Sequence, residues 1–190
     1  MAIRVTSVCL GSLGTNAYLI EAGENVLLVD PAADEPALHA LVGSRRVGLV
    51  VNTHGHFDHI GGNWAVPSEA VCIHEADEKL ASFFYPDHPS FNRKLKDGEE
   101  LVKGVRVLHT PGHSPGSIVL VMDGALVTGD LLFAGSIGRT DLPGGSDEEM
   151  DESLRKIMAL PGDYDVYPGH GPATTLERER RRNPFLRGLT

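Results

Sequence analysis

The stretch Thr53-His54-Gly55-His56-Phe57-Asp58-His59 follows directly on the apolar run Val47-Gly48-Leu49-Val50-Val51. A short run rich in valine and leucine suits a strand covered on both faces. Four side chains able to bind a metal therefore leave one strand end together. Imidazoles cost free energy when buried without partners, and three of them beside a carboxylate on one loop are electrostatically awkward unless a cation organises them. Three further segments repeat the design on a smaller scale. In each, a strand-like apolar run ends in glycine and then a ligand-type side chain: Gly112-His113, Gly129-Asp130 and Gly169-His170. Glycine there lets the chain turn sharply and lets backbones approach closely around a small ion.

Five histidines and two carboxylates exceed the three protein ligands usual for one catalytic zinc, so they point to two metal ions. The expected division puts His54, His56 and His113 on one ion and Asp58, His59 and His170 on the other, with Asp130 bridging. These nitrogen and oxygen donors suit zinc first, with iron or manganese left open. Two ions roughly 3.5–4 Å apart can share a water and lower its pKa from about 15.7 toward about 7. The cluster therefore implies hydrolysis, with Asp58 orienting the nucleophile as well as ligating. His39, His74, His88 and His109 are expected to have surface or ordinary packing roles. His109, four residues before His113, is the one placed to support a ligand.

Outward from these motifs, residues 5–10, 17–21 and 26–29 are expected as strands, with a turn at Ala22-Gly23-Glu24-Asn25. A helix is expected over 36–42, where Pro36 falls in the first turn and its missing N–H is tolerated. The second half continues with strands at 70–73, 105–109, 117–122 and 125–128. Ser146 with Glu149, and Thr174 with Glu177, have capping-box spacing, and Met150, Leu154, Ile157 and Met158 fall on one helical face. Strands flanked by helices on both sides give an α/β protein. Residues 82–98 form the longest irregular piece. Its Phe83, Phe84, Tyr85 and Phe91 are too apolar for a free linker, so it either packs on the core or walls a substrate pocket.

The length of 190 residues fits one domain, taken as 1–190. A net charge of −9 disfavours a protein built to grip phosphate backbones and so speaks against nucleic acid as partner. Arg178 and the run Arg180-Arg181-Arg182 read as a solvated helix face. Residues 1–10 alternate polar and apolar side chains, unlike a signal peptide, and no window is long and apolar enough for a membrane span. Cys9 and Cys72, both in apolar strand-like segments, are expected as buried free thiols in a reducing cytoplasm.

The motifs T-H-G-H-F-D-H at 53–59, P-G-H-S-P-G-S at 111–117, T-G-D-L-L-F at 128–133 and P-G-H-G at 168–171 resemble, in order and spacing, those of the metallo-beta-lactamase superfamily. Within it the chain is similar to small single-domain glyoxalase II-like (hydroxyacylglutathione hydrolase-like) proteins. The resemblance implies a four-layer αβ/βα sandwich, two mixed sheets flanked by helices, with metals at one edge of the sheets. It also implies a thioesterase acting on S-lactoylglutathione or a related acyl thioester, a small-molecule partner. The segment Ile137-Gly138-Arg139-Thr140-Asp141-Leu142-Pro143-Gly144-Gly145 resembles the loop that contacts glutathione in larger relatives. On that ground Arg139 is a candidate substrate-binding residue, the alternative being an arginine that pairs with Asp141.

Only 20 residues follow His170, so the resemblance does not reach the C-terminal helical extension that supplies much of the glutathione site in longer glyoxalase II enzymes. The runner-up is a persulfide dioxygenase, also found in the superfamily, whose single iron is held by residues matching His54, His113 and Asp130. A lactamase is less suited, because Asp130 stands where several zinc lactamases carry cysteine. A metal-storing module would need a closed coordination shell, and seven ligands over two ions leave room for water.

Overall fold

The computed structural model describes residues 3–87 and 91–189; His88 lies outside the described residues. The first half runs β1 (Ile3–Leu10), β2 (Thr15–Ala22), β3 (Asn25–Val29), α1 (Pro36–Val42), β4 (Val47–Val51), α2 (Phe57–Ile60), β5 (Ser68–His74), α3 (Glu78–Phe84) and β6 (Arg93–Leu95). Its strands form one sheet in sequential order. β1, β2 and β3 pair antiparallel, and β3 to β6 pair parallel. The second half runs β7 (Glu100–Val102), β8 (Val105–His109), β9 (Ile118–Met122), β10 (Ala125–Gly129), β11 (Leu132–Phe133), β12 (Ser136–Ile137), α4 (Asp147–Met158), β13 (Asp165–Pro168), β14 (Thr174–Thr175) and α5 (Leu176–Arg182). The second sheet has the order β14-β13-β10-β9-β8-β7, with β10 and β13 parallel.

Successive strand side chains point to opposite faces, and each sheet is apolar on both. In β2, Tyr18 and Ile20 face one cluster while Ala17 and Leu19 face another. Tyr18, Ile20, Leu27, Val29 and Val51 meet Val105, Val107, Leu120 and Val127 of the second sheet, filling the space between the sheets. On the outer face of the first sheet, Leu19, Leu28, Val50 and Ile73 bury Leu38 and Val42 of α1. On the outer face of the second, Val119, Leu126 and Val166 bury Met150, Leu154 and Ile157 of α4 and Leu176 of α5. The layers are helix, sheet, sheet, helix, the expected αβ/βα sandwich.

Hydrogen bonds between the halves hold the carboxyl ends of their parallel strands at one edge. Tyr18 donates its hydroxyl to the Pro168 carbonyl at 2.6 Å, Asn16 N–H to Gly169 O at 2.7 Å, and Ile118 N–H to Thr53 O at 2.8 Å. The segments bearing His54 and His170 are thereby anchored across the sandwich, and Gly169 N–H donates to Gly129 O at 2.8 Å, which joins the segment bearing Asp130 to that of His170.

Several local expectations change. Ser146 caps α4 by accepting from Glu149 N–H, as its spacing predicts, but α5 is capped by Thr175, which accepts from Arg178 N–H. Thr174 is instead buried in β14, opposite Val166, and donates its hydroxyl to Glu179. Strand pairing carried one residue further moves the cap. Residues 82–98 are not one irregular excursion: they include the end of α3 and the edge strand β6. Phe91 sits in the outer core against Trp64. Cys72 is buried, but Cys9 is exposed, because β1 is an edge strand with one face toward solvent. Arg180 is no mere solvated charge. Its guanidinium donates to the carbonyls of Met158, Leu160 and Gly162, satisfying the C-terminal end of α4.

Candidate metal centre

His54 and His56 lie in the loop leaving β4, and Asp58 and His59 in the single turn of α2. His113 comes from the loop between β8 and β9, Asp130 directly follows β10, and His170 follows β13. All seven converge. Their donor atoms form three groups, each within 4.8 Å: His54, His56 and His113; His54, His59 and Asp130; and Asp58, His59 and His170. Asp130 stands between the outer two. Its Oδ2 lies 3.5 Å from His113 Nε2 and 3.6 Å from His170 Nε2, while Oδ1 lies 3.4 Å from His59 Nε2. On the far side, Asp58 Oδ2 is 3.3 Å from His170 Nε2 and 3.6 Å from His59 Nε2.

The donor set fits cations on a specific observation. His54 Nε2, His59 Nε2 and Asp130 Oδ1 are buried and lack hydrogen-bond partners, an expensive arrangement for polar atoms with nothing to bind. The other ring nitrogens are engaged so that these atoms face inward. His59 Nδ1 is 2.9 Å from Asp30 Oδ2, and His54 Nδ1 is 3.1 Å from Thr53 Oγ1. His113 Nδ1–H donates to the Arg139 carbonyl at 2.7 Å, which leaves Nε2 as the lone-pair nitrogen, 2.9 Å from His56 Nδ1.

Two buried aspartates that motif reading overlooked organise these loops. Asp30, at the end of β3 with φ of 49°, also accepts from Thr53 N–H at 2.8 Å and Thr53 Oγ1–H at 2.6 Å. Asp77 accepts from Gly55 N–H at 2.8 Å, Ser114 Oγ–H at 2.6 Å and Gly116 N–H at 2.6 Å. It ties the His54/His56 loop to the His113 loop. The sequence signal for Asp30 is a carboxylate directly after the apolar strand beside β4. Asp77 carries no comparable sign. Glycine has the expected role at Gly169, where a Cβ would come 2.2 Å from Asp130 Oδ1, and at Gly129, where one would come 2.4 Å from Thr53 Oγ1.

Electrostatics divides the donors. Burial and the surrounding imidazoles push His54 well below its ordinary pKa, and the same causes bring His56 to about 4. Both present neutral lone pairs at pH 7. Burial would raise Asp130, but His59, with His113 and His170, outweighs it and holds the carboxyl low. Burial likewise opposes ionisation of Asp58, yet His170 and His59 bring it to about 2. Burial would lower His59, but Asp130 and Asp30 raise it well above its ordinary value. The hydrogen bond that His170 donates to the Asp58 carboxylate raises His170 despite partial burial.

The centre floors a cleft of about 670 Å³, a small-molecule size, walled by Leu13, Phe57, Leu80, Phe83, Phe84, Leu142 and Pro143. Arg139 is at its mouth, with its guanidinium exposed and held by both Asp141 oxygens at 2.6 and 2.8 Å. Its carbonyl, not its side chain, touches the centre. The remaining described histidines stand apart. His39 pairs with Asp34. His74 stacks on His109 with centroids 4.0 Å apart, and His109 Nε2 meets Pro115 O at 2.9 Å. His109 thus steadies the loop after His113 without touching a donor.

Residues 10–170 match the metallo-beta-lactamase superfamily, and the chain belongs to it. Members of this family of metallo-hydrolases typically bind divalent metals, in keeping with the His/Asp cluster. The chain is 31% identical to the probable metallo-hydrolase YqgX of Bacillus subtilis, over 95% of its own length and 96% of that protein. It is 33% identical to the hydroxyacylglutathione hydrolase GloC of Haemophilus influenzae, over 86% and 88% of the two chains. Among solved structures, TTHA1623 in a di-iron-bound form superposes with a TM-score of 0.86 at 40% identity, covering 96% of this chain and 100% of that one. No helix among the described residues is long and apolar enough to cross a membrane.

Proposed function

We propose that the chain is a binuclear metal-dependent thioester hydrolase, cleaving S-lactoylglutathione or a related acyl thioester to a carboxylate and a free thiol. The observation that carries it is the position of Asp130, whose carboxylate reaches ring nitrogens of both outer donor groups. The likeness to a hydroxyacylglutathione hydrolase and to a di-iron protein supports it. In this reading His54, His56 and His113 hold one ion, Asp58, His59 and His170 the other, and Asp130 both. Bound there, two divalent ions, zinc first and iron or manganese next, supply Lewis acidity that acidifies water and polarises a thioester carbonyl.

The chain's own groups have separable duties. Asp58, kept ionised, accepts the Thr15 hydroxyl at 3.2 Å and leaves its remaining lone pairs to ligate and to orient a water. Asp30 and the Arg139 carbonyl fix the tautomers of His59 and His113. The apolar walls exclude bulk water, which strengthens every charge interaction at the floor. Arg139 is the cationic side chain on the cleft wall, and it meets a carboxylate of the thiol carrier by exchanging Asp141. We place the activity in the cytoplasm, where thiol carriers are reduced.

In the persulfide dioxygenase alternative, one iron on His54, His113 and Asp130 leaves Asp58, His59 and His170 unused. Their close convergence favours the hydrolase. Thioester hydrolysis and oxygen consumption with glutathione persulfide, followed on one preparation, test the choice. Hydrolysis without oxygen uptake is expected; stoichiometric oxygen uptake that survives His170→Ala would transfer the assignment to the dioxygenase.

A further inference from the structure

The floor and walls of the cleft differ in kind. Among the described residues, the large hydrophobic side chains left exposed are Leu13 (55%), Phe57 (44%), Phe83 (78%) and Phe185 (52%), and the first three all line this cleft. They come from separate segments. Leu13 is at the tip of the β1–β2 hairpin, Phe57 opens α2, and Phe83 belongs to the last turn of α3. Exposed apolar side chains scattered over a surface need no explanation, but gathered around one mouth they mark a binding site. The aromatic group adjoins the metal centre: Phe84 lies 6.2 Å from the His56 ring, 5.6 Å from Phe57 and 5.4 Å from Phe83. Arg139, the arginine lining the cleft, already has a carboxylate partner.

We propose that this aromatic and aliphatic collar is an acyl subsite, and that the substrate is a thioester of an apolar acyl group, of about butyryl to octanoyl size or aryl, rather than of a short hydroxyacyl group such as lactoyl. The inference rests on the thioesterase reading and deepens it. A cleft of about 670 Å³ suits a small molecule and not a protein segment. Continuity with the donor atoms places the collar beside a scissile carbonyl. The hydroxyl of a lactoyl group, next to the carbonyl, stays with the polar floor, so Leu13, Phe57, Leu80, Phe83 and Phe84 offer apolar surface that only a longer alkyl or aryl chain covers.

The test is an acyl series, acetyl to hexanoyl, on one small neutral thiol, N-acetylcysteamine, with the metal-loaded protein. A fully buried methylene changes affinity about fourfold. Because Leu13 and Phe83 stay partly in water, a rise in kcat/KM of at least about tenfold from acetyl to hexanoyl is expected. Leu13→Ser and Phe83→Ser, both at exposed positions where folding tolerates change, should flatten the slope while metal content holds. A flat series in the parent, an undiminished slope in both variants, or a slope that follows alkyl length on the thiol and not on the acyl group overturns the proposal. So does a dimer that Phe83→Ser dissociates with the slope unaltered, since a second copy would then be the occupant. If neither the panel nor the matching glutathione thioesters are hydrolysed, it is the thioesterase reading that fails. The collar is then judged by calorimetry with the thioether analogues of the same series: tenfold tighter binding of the hexyl than the ethyl compound, lost in Phe83→Ser, sustains it, and equal binding ends it.

Discussion

The floor of the cleft and its collar are a few ångströms apart, yet they are built on opposite rules. On the floor, buried donors are held from behind: His59 by Asp30, His113 by the Arg139 carbonyl, and the loops of His54, His56 and His113 by Asp77. The collar is exposed and makes mainly ring contacts, as Phe83 does with Phe84. Positional precision is concentrated where charge develops and adaptable apolar surface where a substrate's body is sorted. Substitutions on the floor should therefore cost chemistry or folding, and those on the collar should change preference at little cost to either.

The largest expected effect is at His170. If it holds one ion of a pair, His170→Ala should reduce thioester turnover by about 10² or more, comparable to losing a major transition-state contact. A loss of only a fewfold, measured by steady-state kinetics at saturating metal, would remove it from the centre.

Asp77 comes next, acting through position alone. Asp77→Ala leaves the buried Gly55 and Gly116 N–H groups without acceptors, at about 1–3 kcal/mol each. Denaturant unfolding of the metal-free protein should show a loss of roughly 2–5 kcal/mol. Asp77→Asn, which keeps one acceptor oxygen, should recover part of it. Equal stability of all three proteins would mean that the tie between the loops is not used.

The metal-free floor should also respond to pH in two directions. His59 and His170 have folded pKa values raised above the ordinary 6.5. Their contribution to stability is thus complete below pH 6.5 and fades as pH rises through the raised values. Asp58, lowered from 3.8 to about 2, contributes above 3.8 and loses its effect as pH falls toward 2. Since His59 must give up its proton to ligate, metal affinity should rise with pH above 6.5 and binding should release protons. Calorimetric titrations in buffers of different ionisation enthalpy check this, and proton-neutral binding with a flat pH profile would refute it. The smallest effect is expected at Arg139. Arg139→Ala should weaken a glutathione thioester severalfold more than its N-acetylcysteamine counterpart, with metals retained. Equal losses would leave Arg139 as Asp141's partner only.

The contrast also explains what could be read from the chain. The donor residues are local signals, because a metal-binding loop concentrates unusual side chains at a strand end, and Gly129 and Gly169 mark where backbone must approach a carboxylate. The core strands are equally plain: β4 and β8 match the expected 47–51 and 105–109 residue for residue. What escaped depends on partners distant in sequence. Asp77 is one carboxylate in an acidic stretch until Gly55 and Gly116 are folded against it. Phe83 and Leu13 are 70 residues apart and form one collar only in three dimensions. The cap of α5 moved from Thr174 to Thr175 because β14 pairs with β13, a contact that no local spacing encodes.

The central claim is that one carboxylate joins two metal sites, and counting metal answers it most directly. Elemental analysis of the active parent should give close to about two ions per chain, as a two-metal hydrolase requires. Asp130→Ala should lose both ions together, with thioester hydrolysis falling in step. A fully active parent holding a single tightly bound iron, or an Asp130→Ala protein that sheds one ion and keeps the other at parental affinity, would contradict it.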